Sequence, residues 1–286
     1  LVGSKYKAYK TQHRDTVDFE IIHLEKVDST NKYCYKLGKD GRRNLIVVAD
    51  TQTGGRGRLG RTWFSNFGGL YFSILMDLNE FASNRCNYEK MNYLASISAV
   101  ETLKTYSKKD FGIKWPNDVI VDTSKTNFQT CILINPNRHI YTTRSCQTPY
   151  RTRCSIGYKK ICGILSEINL QNSFLVLGVG ININNEINEE ILDIATSLKI
   201  LENKEFDRME ILNKFMNNFK KNLLLDDDKL LKKYNGYSKT LGKIVKITTP
   251  REDIVGKVLD IDYNGIRLKT EKGVEIVNTG DCVHLR

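Results

Sequence analysis

Between Asp50 and Gly69 the chain sets three arginines, Arg56, Arg58 and Arg61, among Gly54, Gly55, Gly57 and Gly60. Glycines let backbone amides turn toward a common point and guanidinium forks can converge on it, so the segment reads as a flexible loop able to hold an anion. Taken alone, its bland alternative is a solvated basic hairpin. A lysine, Lys114, opens the run KWPND at 114–118, beside an aromatic, a turn proline and two polar side chains. Farther on, KICGILSE at 160–167 and GVGIN at 178–182 place glycines inside strand-like runs, where a missing side chain permits close approach of a ligand.

The glycine loop also contains a literal G-x-G-x-x-G in Gly55, Gly57 and Gly60, with Asp77 about twenty residues on, which mimics a dinucleotide fingerprint. That fingerprint needs a crossing helix between its two strands. Residues 61–69, which include Asn66, Gly68 and Gly69, are too few to supply one, so the dinucleotide reading fails on context.

Strands are predicted at 19–25, 45–49 and 70–77, with a helix opened by Ser29 and ended by Gly38, so that the glycine loop hangs between two strands. A helix follows over 88–106, where Tyr93, Ile97, Val100 and Leu103 recur at helical spacing. Residues 112–115 and 119–122 read as strands joined by a tight Pro116-Asn117 turn, and 161–168 and 174–183 as the next pair. Between them, 123–157 are rich in Thr, Asn and Arg without periodicity and read as a mobile insertion. Asp207 and Glu210 resemble a capping box for a helix through Leu225, and a second short helix ends near Asn235-Gly236. From Ser238 short strands broken by polar turns predict a small β-barrel, with the boundary at 237/238.

The 286 residues suffice for a catalytic domain of roughly 200 residues with a small second one. No run of about 18 apolar residues is present, so no membrane partner is expected. Seven scattered cysteines without a C-x-x-C pair, and four isolated histidines, give neither a zinc site by spacing nor a disulfide framework, and a reducing, cytoplasmic location fits. The formal charge of +11 is spread along the chain and reads as a solvated surface, naming no partner by itself.

The order DSTN, TQTGGRGRLGRTWFS, KWPND, KICGILSE, GVGIN and TSL resembles the catalytic domain of biotin protein ligases, and the final GD-x-V-H-L-R resembles the end of that family's SH3-like C-terminal barrel. The likeness covers residues 19–286 apart from the insertion. It implies an α+β chain: a class II synthetase-like biotin/lipoate ligase domain over 19–237, with a mixed sheet and flanking helices, and a barrel over 238–286. The implied reaction is formation of biotinyl-5′-AMP from biotin and ATP, then transfer of biotin to a lysine of a biotin carboxyl carrier domain of a carboxylase. Such chemistry needs no side-chain nucleophile, because the carboxylate of biotin itself attacks phosphorus; H-E-x-x-H, G-x-S-x-G and cysteine nucleophile motifs are indeed missing.

By this resemblance Ser29, Thr30, Gln52, Gly55, the Arg56 backbone and Gly163 surround biotin, although Ser29 is also a plain helix-cap candidate. Arg58 resembles the loop arginine that holds the adenylate, and Lys114 the lysine that reaches the biotin carboxylate and the α-phosphate. Arg61, Trp63, Asn117 and Asn182 follow as nucleotide contacts, with Trp63 closing over the nucleotide, while Trp115 reads as core. Mg²⁺ is implied by the triphosphate, its ligands unassigned.

Residues 1–18 are too few for the helix-turn-helix of bifunctional relatives, so DNA binding is not expected, and the insertion leaves monomer and homodimer both open. Two rivals remain. A lipoate ligase or acyl transferase shares the architecture but lacks the GRGRxGR loop. A basic nucleic-acid-binding protein would need aromatic platforms on the barrel, where only Tyr263 stands.

Overall fold

The computed structural model describes residues 19–83, 90–124, 131–134, 140–143 and 157–285. Its centre is a seven-stranded mixed sheet built from β1 (Glu20–Val27), β2 (Leu45–Gln52), β3 (Leu70–Asp77), β4 (Asp110–Lys114), β5 (Asp118–Asp122), β8 (Tyr158–Asn169) and β9 (Phe174–Ile181), in the order β1-β2-β3-β9-β8-β5-β4. Strands β1 and β2 run parallel and the other neighbours antiparallel. Because β2 and β3 are antiparallel, the glycine loop between them closes a hairpin, which rules out a crossover unit.

Side-chain alternation sorts the two sheet faces. Ile46 and Val48 of β2, with Phe72, Ile74 and Met76 of β3, point to the large core under α3 (Met91–Tyr106) and α5 (Arg208–Leu223). Leu45, Val47 and Ala49 point the other way, toward α1 (Thr30–Lys39), with Phe174 and Val176 of β9. Burial of each large apolar side chain contributes roughly 1.5–3 kcal/mol. On β9 the α1 face continues from Phe174 and Val176 to Gly178 and Gly180, so the apolar cover stops and bare backbone begins.

The elements differ from sequence expectation where packing overrides local signals. Helix α1 runs past Gly38 to Lys39, because the left-handed residue beyond its end is Gly41 (φ 84°); Gly38 instead lies against the Phe174 ring, where a Cβ would stand 2.9 Å away. Helix α3 is buried on nearly all sides, and Ser96, Ser98 and Thr102 return their hydroxyls to the carbonyls four residues back, at 2.7 Å each. The predicted start of α3 at 88 lies outside the described residues. Two short helices, α2 (Leu78–Ser83) and α4 (Leu198–Glu202), carried no recognised signal. Asp207 caps α5 as read, accepting from Met209 and Glu210 N–H. Helix α6 (Asp227–Tyr237) passes through Gly236.

The insertion is not wholly structureless. Its described parts include an antiparallel pair, β6 (Cys131–Ile134) and β7 (Ile140–Thr143), since CILI and IYTT are short β-branched runs able to pair across five intervening residues. Its remaining residues from 125 to 156, like 1–18, lie outside the description.

Strands β10 (Ile244–Thr248), β11 (Asp253–Asp262), β12 (Gly265–Thr270), β13 (Gly273–Val277) and β14 (Asp281–His284) form an antiparallel sheet in the order β13-β12-β11-β10-β14, consistent with an SH3-like domain, though no closed barrel is formed by these pairings. Its inner residues Val245, Ile247, Val258 and Ile266 belong to the same core as α3. Among the described residues no helix is long and apolar enough to cross a membrane.

Candidate functional site

The bare part of the sheet opens into a cleft of about 830 Å³, its mouth included. Its floor is Gly163 on β8 with Gly178 and Gly180 on β9, its roof the glycine loop with Trp63, and its far rim Gly280 and Asp281 of the C-terminal sheet. The glycines are required by what faces them. A Cβ on Gly180 would stand 2.6 Å from Trp63 Nε1, one on Gly163 would stand 2.9 Å from the Trp63 ring, and one on Gly178 would overlap the Asn31 side chain. Trp63 Nε1 is itself buried without a hydrogen-bond partner.

One end of the cleft is a polar network. The Thr30 N–H and hydroxyl donate to Gln52 Oε1 at 2.8 and 3.1 Å, and Gln52 Nε2 donates to Ser65 Oγ at 2.8 Å. The first amide of α1 is therefore capped by Gln52. Ser29 occupies the N-cap position but its side chain makes no capping bond, so the capping role expected of it falls away and its hydroxyl is left on the cleft wall. Beside it, Asn31 Nδ2 donates to Glu167 Oε2 at 2.8 Å, and Arg56 meets Glu167 Oε1 at 3.1 Å. The Arg56 side chain thus ties the loop to β8.

The other end is cationic. Arg58 donates to Asn117 Oδ1 at 3.3 Å and to Thr279 Oγ1 at 3.1 Å, while Arg61 makes a two-pronged ion pair with Asp281, one prong at 3.0 Å. Burial pulls the Arg58 guanidinium below its ordinary value, against the opposing charges of Asp118 and Asp281. The Arg61 hydrogen bonds raise Arg61 and hold the Asp281 carboxyl below the usual carboxylate range. Lys160 Nζ lies 2.5 Å from Asp118 Oδ1 and 5.2 Å from the centre of the Trp63 ring.

Of the residues singled out from sequence, Ser29, Thr30, Gln52, Arg56, Arg58, Arg61, Trp63, Asn117 and Gly163 come together on the cleft wall. Gly55 packs behind Gln52 and Trp63 without lining the cleft. Lys114 does not line the cleft either; it ends β4, and its charge acts on Asp281, Cys282 and His284. Asn182 lies beyond the end of β9, buried and off the cleft lining, its Nδ2 donating to Thr196 O and its Oδ1 accepting from Asn185 Nδ2. Trp115 is core, as read.

Sequence reasoning passed over Lys160, Asp118, Asn31, Glu167 and the C-terminal residues Thr279 and Asp281. Lys160 has a specific reason. In a regular strand it and Gly163, three apart, would face opposite sides of the sheet. A bulge in β8 opposite Val119 and Ile120 leaves Ile161 unpaired and turns Lys160 to the face of Gly163, where a Cβ would stand 3.3 Å from its Nζ. Asp118 and Glu167 were legible only as members of KWPND and KICGILSE.

The residues present do not build a metal cage. Among the described residues no three His, Cys, Asp or Glu cluster, and the two carboxylates of the cleft, Asp118 and Asp281, each already hold a cation.

The model of the biotin/lipoate A/B protein ligase family matches residues 24–184, more than half of the chain. The chain belongs to that family. A separate model, the biotin protein ligase C-terminal domain, matches residues 240–285, which include the sheet that supplies Asp281. The bifunctional ligase/repressor BirA of Bacillus subtilis is 25% identical over 276 residues, covering 91% of this chain and 73% of that protein. The biotin–[acetyl-CoA-carboxylase] ligase of Mycobacterium tuberculosis is 27% identical over 250 residues, with 85% and 79% covered. The biotin protein ligase of Aquifex aeolicus, solved in complex with biotin and ATP, superposes with a TM-score of 0.69 at 31% identity over 93% of this chain and 98% of that one.

Proposed function

We propose that the protein is a biotin protein ligase that joins biotin to ATP in this cleft, forming biotinyl-5′-AMP and pyrophosphate, and then passes the biotinyl group to the Nζ of one lysine on a biotin carboxyl carrier domain, releasing AMP. The observation that carries this reading is the division of one cleft into a neutral polar end at Ser29, Thr30 and Gln52 and a cationic end at Arg58, Arg61 and Lys160. A urea ring needs matched donors and acceptors, each worth about 1–3 kcal/mol when left unpaired in a buried site. A carboxylate approaching a triphosphate needs fixed cations to offset repulsion and to stabilise the charge that develops. Lys160, inside the cleft, is the lysine suited to that contact; Lys114 adds charge from behind Asp281.

The experiment is pyrophosphate release from ATP and Mg²⁺ with either biotin or lipoate. Release with biotin alone is the expected result, and equal release with lipoate would sink the substrate assignment. We further propose that the protein acts without DNA. A gel shift at two salt concentrations tests this against the repressor role named in the Bacillus relative. A cytoplasmic location suits the buried free thiols Cys34, Cys162 and Cys282. Monomer and homodimer are separated by sedimentation with and without the ligands.

A further inference from the structure

The turn from Trp115 to Asp118 touches the cleft at one end and the C-terminal sheet at the other. Toward the cleft, Asn117 accepts from Arg58 and Asp118 pairs with Lys160. Away from it, the Trp115 N–H donates to Thr240 Oγ1 at 3.0 Å, and Thr240 Oγ1 lies 2.9 Å from His284 Nε2. Thr240 is wholly buried. The approach of this segment is also fixed by backbone: Lys239 N–H donates to Ile113 O at 2.8 Å, and Ser238 bridges Ile113 in parallel. Residues 238–240 thus run beside β4, and the Thr240 hydroxyl extends that ladder by one rung.

A hydroxyl has one proton to give. With Trp115 N–H donating into Thr240 Oγ1, the threonine proton finds its acceptor at His284 Nε2, which requires a neutral ring protonated on Nδ1. The reverse arrangement would give Thr240 two donors and no acceptor for its own proton among the hydrogen bonds of the described residues. The surroundings favour the neutral ring. His284 is faced by Lys114 of β4, by Lys243 just before β10 and edge-on by the Tyr158 ring of β8 at 6.0 Å. Burial first, and then the two lysines, push it down to about 4.

We propose that His284 is a positioning residue for adenylation, acting through Thr240 to fix the Trp115 N–H and with it the turn that offers Asn117 to Arg58 and Asp118 to Lys160. The inference rests on reading the cleft as the adenylation site. Through this relay the C-terminal sheet serves the first half-reaction from a residue that meets no substrate.

The test compares His284→Leu, His284→Gln and Thr240→Val in the full chain by steady-state pyrophosphate release with biotin and ATP. His284→Leu lowers kcat about tenfold while KM for biotin stays within about twofold, because a misplaced turn costs rate more than it costs binding at the distant polar end. His284→Gln, whose Oε1 accepts from the Thr240 hydroxyl, recovers kcat to within about threefold of the parent. Thr240→Val reproduces the loss, and combining it with His284→Leu adds little, as expected of two members of one relay. Glutamine no better than leucine, a fully active His284→Leu, or additive losses in the double variant would each overturn the proposal. Should His284→Leu fail to fold, Thr240→Ser against Thr240→Val decides in its place, rescue by serine being the supporting result and equal loss the refuting one. A parent chain that releases no pyrophosphate with biotin defeats the adenylation reading itself, which is a separate outcome.

Discussion

A lysine acts where its Nζ lies, and the bulge in β8 decides this for Lys160. Its charge sits within the cleft beside Asp118 and the Trp63 ring, whereas Lys114 stands behind the rim among Asp281, Cys282 and His284. Removing a cation that stabilises charge only as the carboxylate attacks costs on the order of 100-fold or more in rate. Lys160→Ala is therefore expected to lose at least that much in pyrophosphate release, and Lys114→Ala distinctly less. The reverse ranking would return the role to Lys114.

At the scale of the element, the glycine loop is held by three side chains at three places: Arg56 to Glu167 on β8, Arg58 to Asn117 in the turn between β4 and β5, and Arg58 and Arg61 to Thr279 and Asp281 on the C-terminal rim. The two ion pairs among these, Arg56 with Glu167 and Arg61 with Asp281, are partly exposed and of a kind that contributes about 0.2–1 kcal/mol each, so the loop is closed weakly and can open. Arg58→Gly should let the mixed anhydride escape, read as biotin transfer to an unrelated bystander protein; bystander labelling no greater than with the parent would remove the lid role. The loop, the strands and the capping of α5 were legible because glycine clusters, period-two runs and Asp207 are local signals. What faces what was less so. Gly38 looked like a helix stop because Phe174, its contact, is 136 residues away, and Ser29 looked like a cap because Gln52 was not yet beside it. The bulge that turns Lys160 inward leaves no local mark, and Thr279 and Asp281 reach the cleft only through the docking of a second sheet.

For the whole molecule, one continuous core joins the catalytic sheet to the C-terminal sheet, and His284 lies where they meet. Its pKa in the fold, about 4, is below the ordinary histidine value of about 6.5. Between these values the unfolded chain binds the proton and the folded chain does not, so stability falls as pH drops from about 6.5 toward 4 and is unaffected by this group above that window. Carboxylates titrating in the same range act on parent and variant alike. His284→Gln should accordingly lose less melting temperature than the parent between pH 7 and pH 5, and parallel curves would mean that the ring is not held neutral.

The chain contains 2 tryptophans, and they sit in opposite circumstances. Trp115 is 3% exposed inside the core, while Trp63 roofs the cleft with an unpaired indole N–H. Any quenching of the native emission by acrylamide must then come almost wholly from Trp63, so the protein carries its own optical gauge of whether the cleft is filled. Biotin together with ATP should flatten the quenching slope and shift the emission maximum, and the Trp63→Phe variant should lose both responses while keeping the dim, unquenched signal of Trp115.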